Sequence, residues 1–319
     1  MTGGEVSRVI DGERCVDGYS IARDGTIIAL VAESDAPGNL FAAEAGRLRQ
    51  LTKHNEALLD GIELAVIESV SFPSRDGTVI QGFIYKPPGF SPKKRYPTLL
   101  QIHGGPWDQY DFRFSFEAQL FAAHGYLVVM TNPRGSTGRG KDFRMGIWQS
   151  LGANDGADVI AGVDHAIELG YADPDRLGVG GWSYGGILTN HVITQTDRFK
   201  AAVSVASYSL YPSNYGHDFW QRWWEREFGL PWANQELWGR LSPFNNVDRI
   251  VTPTLWMGGD QDWNTPIINS EQMYQAMKRL GRETLLVVYP DQDHSISLPS
   301  FRKDLWERHL DWYDRYLSK

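Results

Sequence analysis

The sequence predicts an α/β fold, in which a mostly parallel, twisted sheet carries helices on both faces. Short apolar segments typical of buried strands alternate with longer segments typical of helices, as such a sheet requires. The strand segments are 79–85, 98–102, 126–131, 177–181, 201–206, 254–257 and 284–289. The helical segments are 114–124, 155–169, 187–195, 267–280 and 300–317.

A Gly-x-Ser-x-Gly motif stands where the strand at 177–181 meets the helix at 187–195. Its residues read Gly181-Trp-Ser183-Tyr-Gly185-Gly. At such a junction the chain reverses sharply and lifts the serine hydroxyl above the end of the sheet, and the flanking glycines fit the tight backbone. A plain glycine-rich turn is the alternative, but the strand before the motif and the helix after it favour Ser183 as a nucleophile.

A serine nucleophile needs a base, and a carboxylate that orients the base. Four histidines are candidates for the base: His191, His217, His294 and His309. Two of them, His191 and His309, fall inside predicted helices, and His217 has no strand before it. His294 follows the strand at 284–289 and a short loop, at the edge where parallel strands present functional groups. We therefore predict His294 as the base.

The loop after the strand at 254–258 supplies the acid. It contains two aspartates, Asp260 and Asp262, and spacing alone does not separate them. Asp262 is nearer the next helix and better placed to turn toward His294. Asp260 is better suited to hold the backbone amides of its own loop, as aspartate commonly does in turns.

The segment His103-Gly-Gly105-Pro ends the strand at 98–102. In hydrolases of this shape, a His-Gly-Gly loop supplies a backbone N–H for a negatively charged oxygen. The residue after the nucleophile, Tyr184, would supply the second N–H. We expect His103 to brace the loop, and a simple turn is the alternative interpretation.

Six motifs occur in one order along the chain. They are His103-Gly-Gly-Pro, Asn132-Pro-Arg-Gly-Ser-Thr-Gly-Arg-Gly140, Gly181-Trp-Ser183-Tyr-Gly-Gly, Ser242-Pro-Phe-Asn-Asn-Val-Asp-Arg-Ile250, Asp260-Gln-Asp-Trp-Asn-Thr-Pro266 and Pro290-Asp-Gln-Asp-His294. Together they resemble the catalytic domain of the prolyl oligopeptidase family of serine peptidases, and its acylaminoacyl-peptidase and dipeptidyl-peptidase branch most of all. The resemblance covers residues 69–319 and implies an α/β-hydrolase fold.

The resemblance also implies a role for each matching residue. Ser183 becomes the nucleophile, Asp262 the acid and His294 the base, and the amides of Gly105 and Tyr184 become the oxyanion hole. The implied activity is cleavage of short peptides through an acyl-enzyme intermediate. A carboxylesterase that uses the same triad is the alternative, and a binding protein on an inactive hydrolase fold is a third, which the intact motifs disfavour.

The segment 208–238 is rich in aromatic residues. In the resembled family this segment walls the pocket for the side chain before the scissile bond, which favours an apolar or aromatic residue there. The substrate-binding candidates are Tyr208, Phe219, Trp223 and Trp224. The helical spacing of Phe219, Trp223 and Trp224 also fits a helix packed on the core.

Composition and charge limit the classes of partner that the protein is expected to bind. The formal net charge of −8 argues against nucleic acid and anionic membranes, and the single cysteine, Cys15, excludes an internal disulfide. No apolar run approaches the roughly 20 residues of a spanning helix, and the first residues lack a signal-peptide pattern. We therefore expect a cytoplasmic enzyme. The glycine-rich loop after residue 131 lacks nucleotide-binding spacing, and we expect neither a cofactor nor a metal.

Residues 1–68 are predicted to form an N-terminal β segment with four short strands, which resembles one blade of a β-propeller. A propeller needs several blades to close, and no second repeat is present. The chain is thus expected to be either a shortened form or a hydrolase that lacks a propeller. Because one blade has little core and exposes its edges, we expect it to pack on the catalytic domain (69–319) or on a second subunit, as a homodimer.

Overall fold

Two sheets organise the residues that the structure, a computed structural model, describes: 3–4, 6–44 and 46–318. The smaller sheet is an antiparallel meander near the N-terminus. Its strands are β1 (Cys15–Ile21), β2 (Ile27–Glu33), β3 (Ala36–Glu44) and β4 (Arg47–Gln50). Short helix α1 (Glu56–Leu59) follows it.

The larger sheet has eight strands among the described residues. They are β5 (Val66–Pro73), β6 (Val79–Lys86), β7 (Tyr96–Ile102), β8 (Leu127–Asn132), β9 (Ala172–Trp182), β10 (Ala201–Val205), β11 (Thr254–Gly259) and β12 (Thr284–Tyr289). Their order across the sheet is β12-β11-β10-β9-β7-β8-β6-β5. Six neighbouring strands from β12 to β8 run parallel, whereas β6 is antiparallel to both β8 and β5. The predicted α/β fold with a mostly parallel sheet is confirmed.

Helices cover both faces of the larger sheet. They are α2 (Phe116–Ala123), α3 (Lys141–Met145), α4 (Asn154–Glu168), α5 (Tyr184–Gln195), α6 (Gln221–Phe228), α7 (Gln235–Arg240), α8 (Ile268–Arg279) and α9 (Pro299–Leu317), with 3-10 segments at Tyr211–Asn214 and Pro243–Arg249. One core cluster joins buried residues of α4, α5 and α8 to the sheet, and a second joins those of α2 and α9. Because parallel strands are covered on both sides, they carry continuous apolar runs rather than alternating ones.

The predicted strand segments of the larger sheet fall on β6 to β12, and β9 starts five residues earlier than predicted, at Ala172. Strand β5 also begins at Val66, before the predicted domain boundary at residues 68 and 69. The division into units 1–68 and 69–319 stays a prediction. Of the helices that the structure describes, none is long and apolar enough to cross a membrane.

A polar contact joins the small sheet to the loop after β7. Arg113 Nε lies 3.0 Å from Asp17 Oδ1, and its Nη2 lies 3.1 Å from Cys15 Sγ. Both partners stand on β1. The small sheet is therefore bonded to the same loop that begins with His103 and Gly105.

Candidate active site

The turn between β9 and α5 carries Ser183 in a strained conformation. Its φ of 60° lies in the left-handed region, which side chains other than glycine rarely adopt. The turn is also crowded, because a Cβ on Gly185 would collide with the backbone carbonyl of Ile102 in β7. Strain and crowding together fit the sharp strand-to-helix turn that presents a serine hydroxyl at the carboxyl end of a sheet.

Two neighbouring loops bring Asp262 and His294 together. Asp262 follows β11 and His294 follows β12, which are parallel neighbours. The Gln261 N–H donates to the carbonyl oxygen of Gln292 at 2.9 Å and holds the two loops side by side. In this arrangement His294 Nδ1 lies 2.8 Å from Asp262 Oδ2.

The Asp262 carboxylate is held firmly, since the residue is only 4% exposed. Its Oδ1 accepts the backbone N–H groups of Asn264 and Thr265, each at 2.8 Å. Its Oδ2 accepts the Thr265 hydroxyl at 2.8 Å as well as the imidazole of His294. A carboxylate only accepts, so the Nδ1 of His294 carries the proton of this bond and a neutral ring has Nε2 free to accept another.

The other aspartate of the loop has a different role in the geometry. Asp260 Oδ1 accepts the backbone N–H of Asp291 at 2.8 Å and so ties the two loops together. The base loop is also bonded to the serine turn, because the indole Nε1–H of Trp182 donates to the carbonyl oxygen of His294 at 3.0 Å. Of the two candidates that spacing left open, Asp262 is the one that contacts the imidazole.

The loop after β7 is braced by His103. Its Nδ1 lies 2.6 Å from the carbonyl oxygen of Gly104, and its Nε2 lies 2.8 Å from Ser136 Oγ. Burial lowers the pKa of His103, which favours the neutral ring. Because the carbonyl can only accept, Nδ1 donates and Nε2 accepts the Ser136 hydroxyl. Both ring nitrogens are thus used in holding the Gly-Gly segment.

Tyr184 begins α5, so its backbone N–H is one of the helix's first amides, which have no acceptor within the helix. Its side chain points into the core, where the hydroxyl donates to Asp155 Oδ2. Burial raises the pKa of Asp155 to about 6. Tyr184 and Gly105 both line the cavity that Ser183 borders.

A cavity of about 380 Å³ opens beside Ser183. Its walls are largely aromatic, and its lining includes the following residues: Trp107, Trp148, Tyr208, Tyr211, Trp220, Trp223 and Trp224. Three of the four predicted substrate-binding residues therefore line it. The fourth, Phe219, is 73% exposed and is not among the lining residues.

Sequence reasoning missed one side of this cavity. Arg144, Trp148 and Leu151 come from α3 and the turns after it, and Glu227 comes from the buried face of α6. The available signal was the glycine-rich segment 135–140, which follows a parallel strand at the functional edge of the sheet. None of the described residues forms a cluster that could hold a metal ion.

The sheet order and the Ser183 turn define the α/β-hydrolase fold. A family model described as Prolyl oligopeptidase family matches residues 112–319. The chain belongs to this family, and the predicted family membership is confirmed.

Relatives and solved structures agree with this assignment. The chain is 34% identical over 311 residues to an uncharacterized peptidase, YuxL, from Bacillus subtilis. The aligned region covers 95% of this chain and 47% of that protein. It is 27% identical to the acylamino-acid-releasing enzyme of Arabidopsis thaliana, over 99% of this chain and 46% of that enzyme. The chain thus spans about half the length of the curated relatives it matches.

Among solved structures, the uncomplexed acylaminoacyl peptidase of Pyrococcus horikoshii superposes with a TM-score of 0.92 at 29% identity. The match covers 99% of this chain and 52% of that one. An acylaminoacyl peptidase in complex with Z-Gly-Gly-Phe-chloromethyl ketone superposes equally well, with a TM-score of 0.92 at 28% identity and the same coverage.

Proposed function

We propose that the chain is a serine peptidase that cleaves short peptides through an acyl-enzyme intermediate. The observation that carries this proposal is the hydrogen-bonded pair of Asp262 and His294 at the sheet edge where Ser183 is presented. Membership of a peptidase family and the peptidase names of the relatives support it.

The first half of the reaction acylates Ser183. The Ser183 oxygen attacks the substrate carbonyl carbon while His294 Nε2 takes the hydroxyl proton, and Asp262 stabilises the resulting imidazolium. The N–H groups of Gly105 and Tyr184 donate to the negatively charged oxygen, each worth about 3 kcal/mol in the transition state. When the C–N bond breaks, His294 gives its proton to the leaving amine.

The second half releases the acyl group. Water attacks the acyl carbonyl carbon, His294 takes a proton from it, and the same two N–H groups stabilise the second tetrahedral intermediate. The ester bond to Ser183 then breaks and the serine oxygen recovers its proton from His294. The bracing of the Gly-Gly segment by His103 keeps the Gly105 donor in place through both halves.

The aromatic cavity is proposed to receive the side chain before the scissile bond. Tyr208, Trp223 and Trp224 line it beside Ser183, and rings of this kind favour an apolar or aromatic residue. A similar acylaminoacyl peptidase has been solved in complex with Z-Gly-Gly-Phe-chloromethyl ketone, in which phenylalanine precedes the reactive group, and this supports an aromatic residue before the scissile bond. The substrate-binding role of Phe219, the homodimer and the cytoplasmic location stay predictions.

Paired substrates test the proposal. We expect the wild-type protein to hydrolyse both N-acetyl-phenylalanine p-nitroanilide and the matching p-nitrophenyl ester, and Ser183→Ala to lose both activities. Ser71→Ala, at an exposed serine of β5 on the far edge of the sheet, is the matched control. Ester hydrolysis with no amide cleavage at all would contradict the peptidase proposal and leave the carboxylesterase as the remaining interpretation.

A further inference from the structure

A buried carboxylate borders the aromatic cavity. Glu227, on α6, is 3% exposed and lines the same cavity as Ser183. Its Oε1 accepts the backbone N–H of Gln149 at 3.1 Å, and its Oε2 accepts the indole N–H of Trp223 at 2.8 Å. Each carboxylate oxygen can accept more than one hydrogen bond, so both have capacity left.

The Glu227 carboxylate forms no ion pair with any residue that the structure describes. Within the described part of the chain, no lysine, arginine or histidine nitrogen lies within 4.0 Å of a Glu227 oxygen. Burial raises the pKa of Glu227, and the bonds from Gln149 and Trp223 oppose that shift. A buried carboxylate without a counterion is costly to fold around. Because this cost is met at the wall of the proposed substrate cavity, we expect the carboxylate to interact with the substrate.

The rest of the cavity argues against a positively charged occupant. Arg144 also lines it, with its guanidinium 4.7 Å from the ring centre of Trp107. The Trp107 ring packs edge-on against Trp223 at 4.5 Å, and Trp223 is the residue that donates to Glu227. A lysine or arginine side chain would share this space with a guanidinium, whereas a neutral ring would meet indole rings.

We propose that Glu227 determines specificity, and that the preferred substrates are peptides with tyrosine before the scissile bond. A phenol is neutral at neutral pH, and its O–H can donate to the carboxylate while its ring packs against the tryptophans. A site built around a substrate hydroxyl discriminates against the analogue that lacks it. This inference rests on the proposed function, because it assigns the cavity to that side chain.

A purely structural role for Glu227 predicts something different. Gln149 has a φ of 55°, and its side-chain amide donates to the Glu227 carbonyl oxygen at 2.6 Å, so Glu227 also holds this turn. Loss of that support alone would lower turnover of every substrate by the same factor. The ratio between two substrates, measured in one preparation, separates the roles and is independent of the folded fraction.

The experiment compares kcat/KM for the p-nitroanilides of N-acetyl-tyrosine, phenylalanine, O-methyl-tyrosine and lysine. We expect the wild-type protein to prefer tyrosine to phenylalanine by at least about tenfold, and O-methyl-tyrosine, which lacks the donor, to fall to the phenylalanine level. In Glu227→Met the ratio of tyrosine to phenylalanine falls to about one, and Glu227→Gln lowers it. Glu225→Gln, on the same helix but outside the cavity lining, leaves it unchanged.

A binding measurement keeps the inference independent of turnover. We expect the Ser183→Ala variant to bind N-acetyl-tyrosinamide at least about tenfold more tightly than N-acetyl-phenylalaninamide, and Glu227→Met in that background to remove the difference. Equal values for the two ligands, a preference for lysine, or a ratio that survives both Glu227 variants would overturn the inference. Tight tyrosine binding without any hydrolysis would instead count against the proposed function alone.

Discussion

The two sheets differ in how completely their strands are buried. Every residue of β8, β10 and β11 is buried, whereas β1 and β4 contain no buried residue. The candidate catalytic residues all follow strands of the larger sheet. The comparison shows that the candidate site is built where packing on both faces fixes the backbone, whereas the described residues of the small sheet supply none of its groups.

The largest expected effect is at the carboxyl edge of the larger sheet. Asp262→Asn should lower kcat/KM by about 10³- to 10⁴-fold, because the amide no longer stabilises the imidazolium of His294. Asp260→Asn, in the same loop but bonded to the backbone of Asp291, should cost less than about tenfold. Steady-state kinetics on one anilide substrate decide the matter, and a reversed order would disprove the acid assignment.

Glycine substitutions compare the two sheets directly. Gly185→Ala should destabilise the protein by about 3 kcal/mol or more, because the new Cβ meets the Ile102 backbone, which cannot move aside. Gly25, in the turn between β1 and β2, has a φ of +88° and open space around it. In Gly25→Ala only the left-handed backbone conformation is unfavourable, and the expected loss of stability is about 1 kcal/mol. Urea unfolding followed by fluorescence measures the free energy of unfolding of both variants. Equal losses would contradict the expected difference between the two glycines.

Acid should weaken the packed face of the larger sheet through His309. Burial lowers its pKa to about 4, and its Nδ1 donates to the Leu305 carbonyl oxygen at 2.8 Å within α9. Between the unfolded value of about 6.5 and the folded value, the unfolded chain binds a proton that the folded chain does not. Stability is therefore lost as pH falls through this window, by about 2 to 3 kcal/mol from this residue at pH 4.5.

His309→Gln should remove that part of the pH dependence while keeping a side chain that can donate to Leu305. The free energy of unfolding, measured at intervals from pH 7 to 4.5, should fall less steeply in the variant. His124→Gln, at an exposed histidine, is the control. A profile identical to that of the wild type would show that His309 is not the group responsible.

The smallest effect is expected where the small sheet meets the larger one. Arg113→Gln removes the ion pairs with Asp17 and Asp111 and the bond to Cys15. Because Arg113 is half exposed and both carboxylates are partly exposed, the loss should stay below about 1 kcal/mol. The thermal midpoint should shift by only a few degrees. A loss of more than about 2 kcal/mol would mean that the small sheet supports the loop of His103 far more strongly than its burial suggests.

Much of the fold was predictable because local patterns agree with burial. The parallel strands of the larger sheet contain continuous apolar runs, and the Ser183 turn has its glycines where contacts with β7 demand them. Strand β5 extended past the predicted boundary because its residues alternate between buried and exposed, as in an antiparallel edge strand, and give a weaker apolar signal.

The candidate site was predictable only in part. Loop order located Asp262 and His294, but the choice between Asp260 and Asp262 depends on which carboxylate turns toward the imidazole, and spacing does not encode that. Part of the cavity wall was predicted, but Trp148 was missed because it comes from a segment outside the aromatic stretch 208–238, and Glu227 was missed although it lies within that stretch. A glutamate on a short helix looks like a surface residue until tertiary packing buries it.

Reaction with a fluorophosphonate tests the central claim, an activated Ser183, most directly. Mass spectrometry of the wild-type protein should show one adduct, and peptide mapping should place it on Ser183. Ser183→Ala should take up none, and His294→Ala should react at least about 100-fold more slowly, because the hydroxyl has lost its base. An adduct on another residue, or labelling of Ser183 at an unchanged rate without His294, would contradict the account.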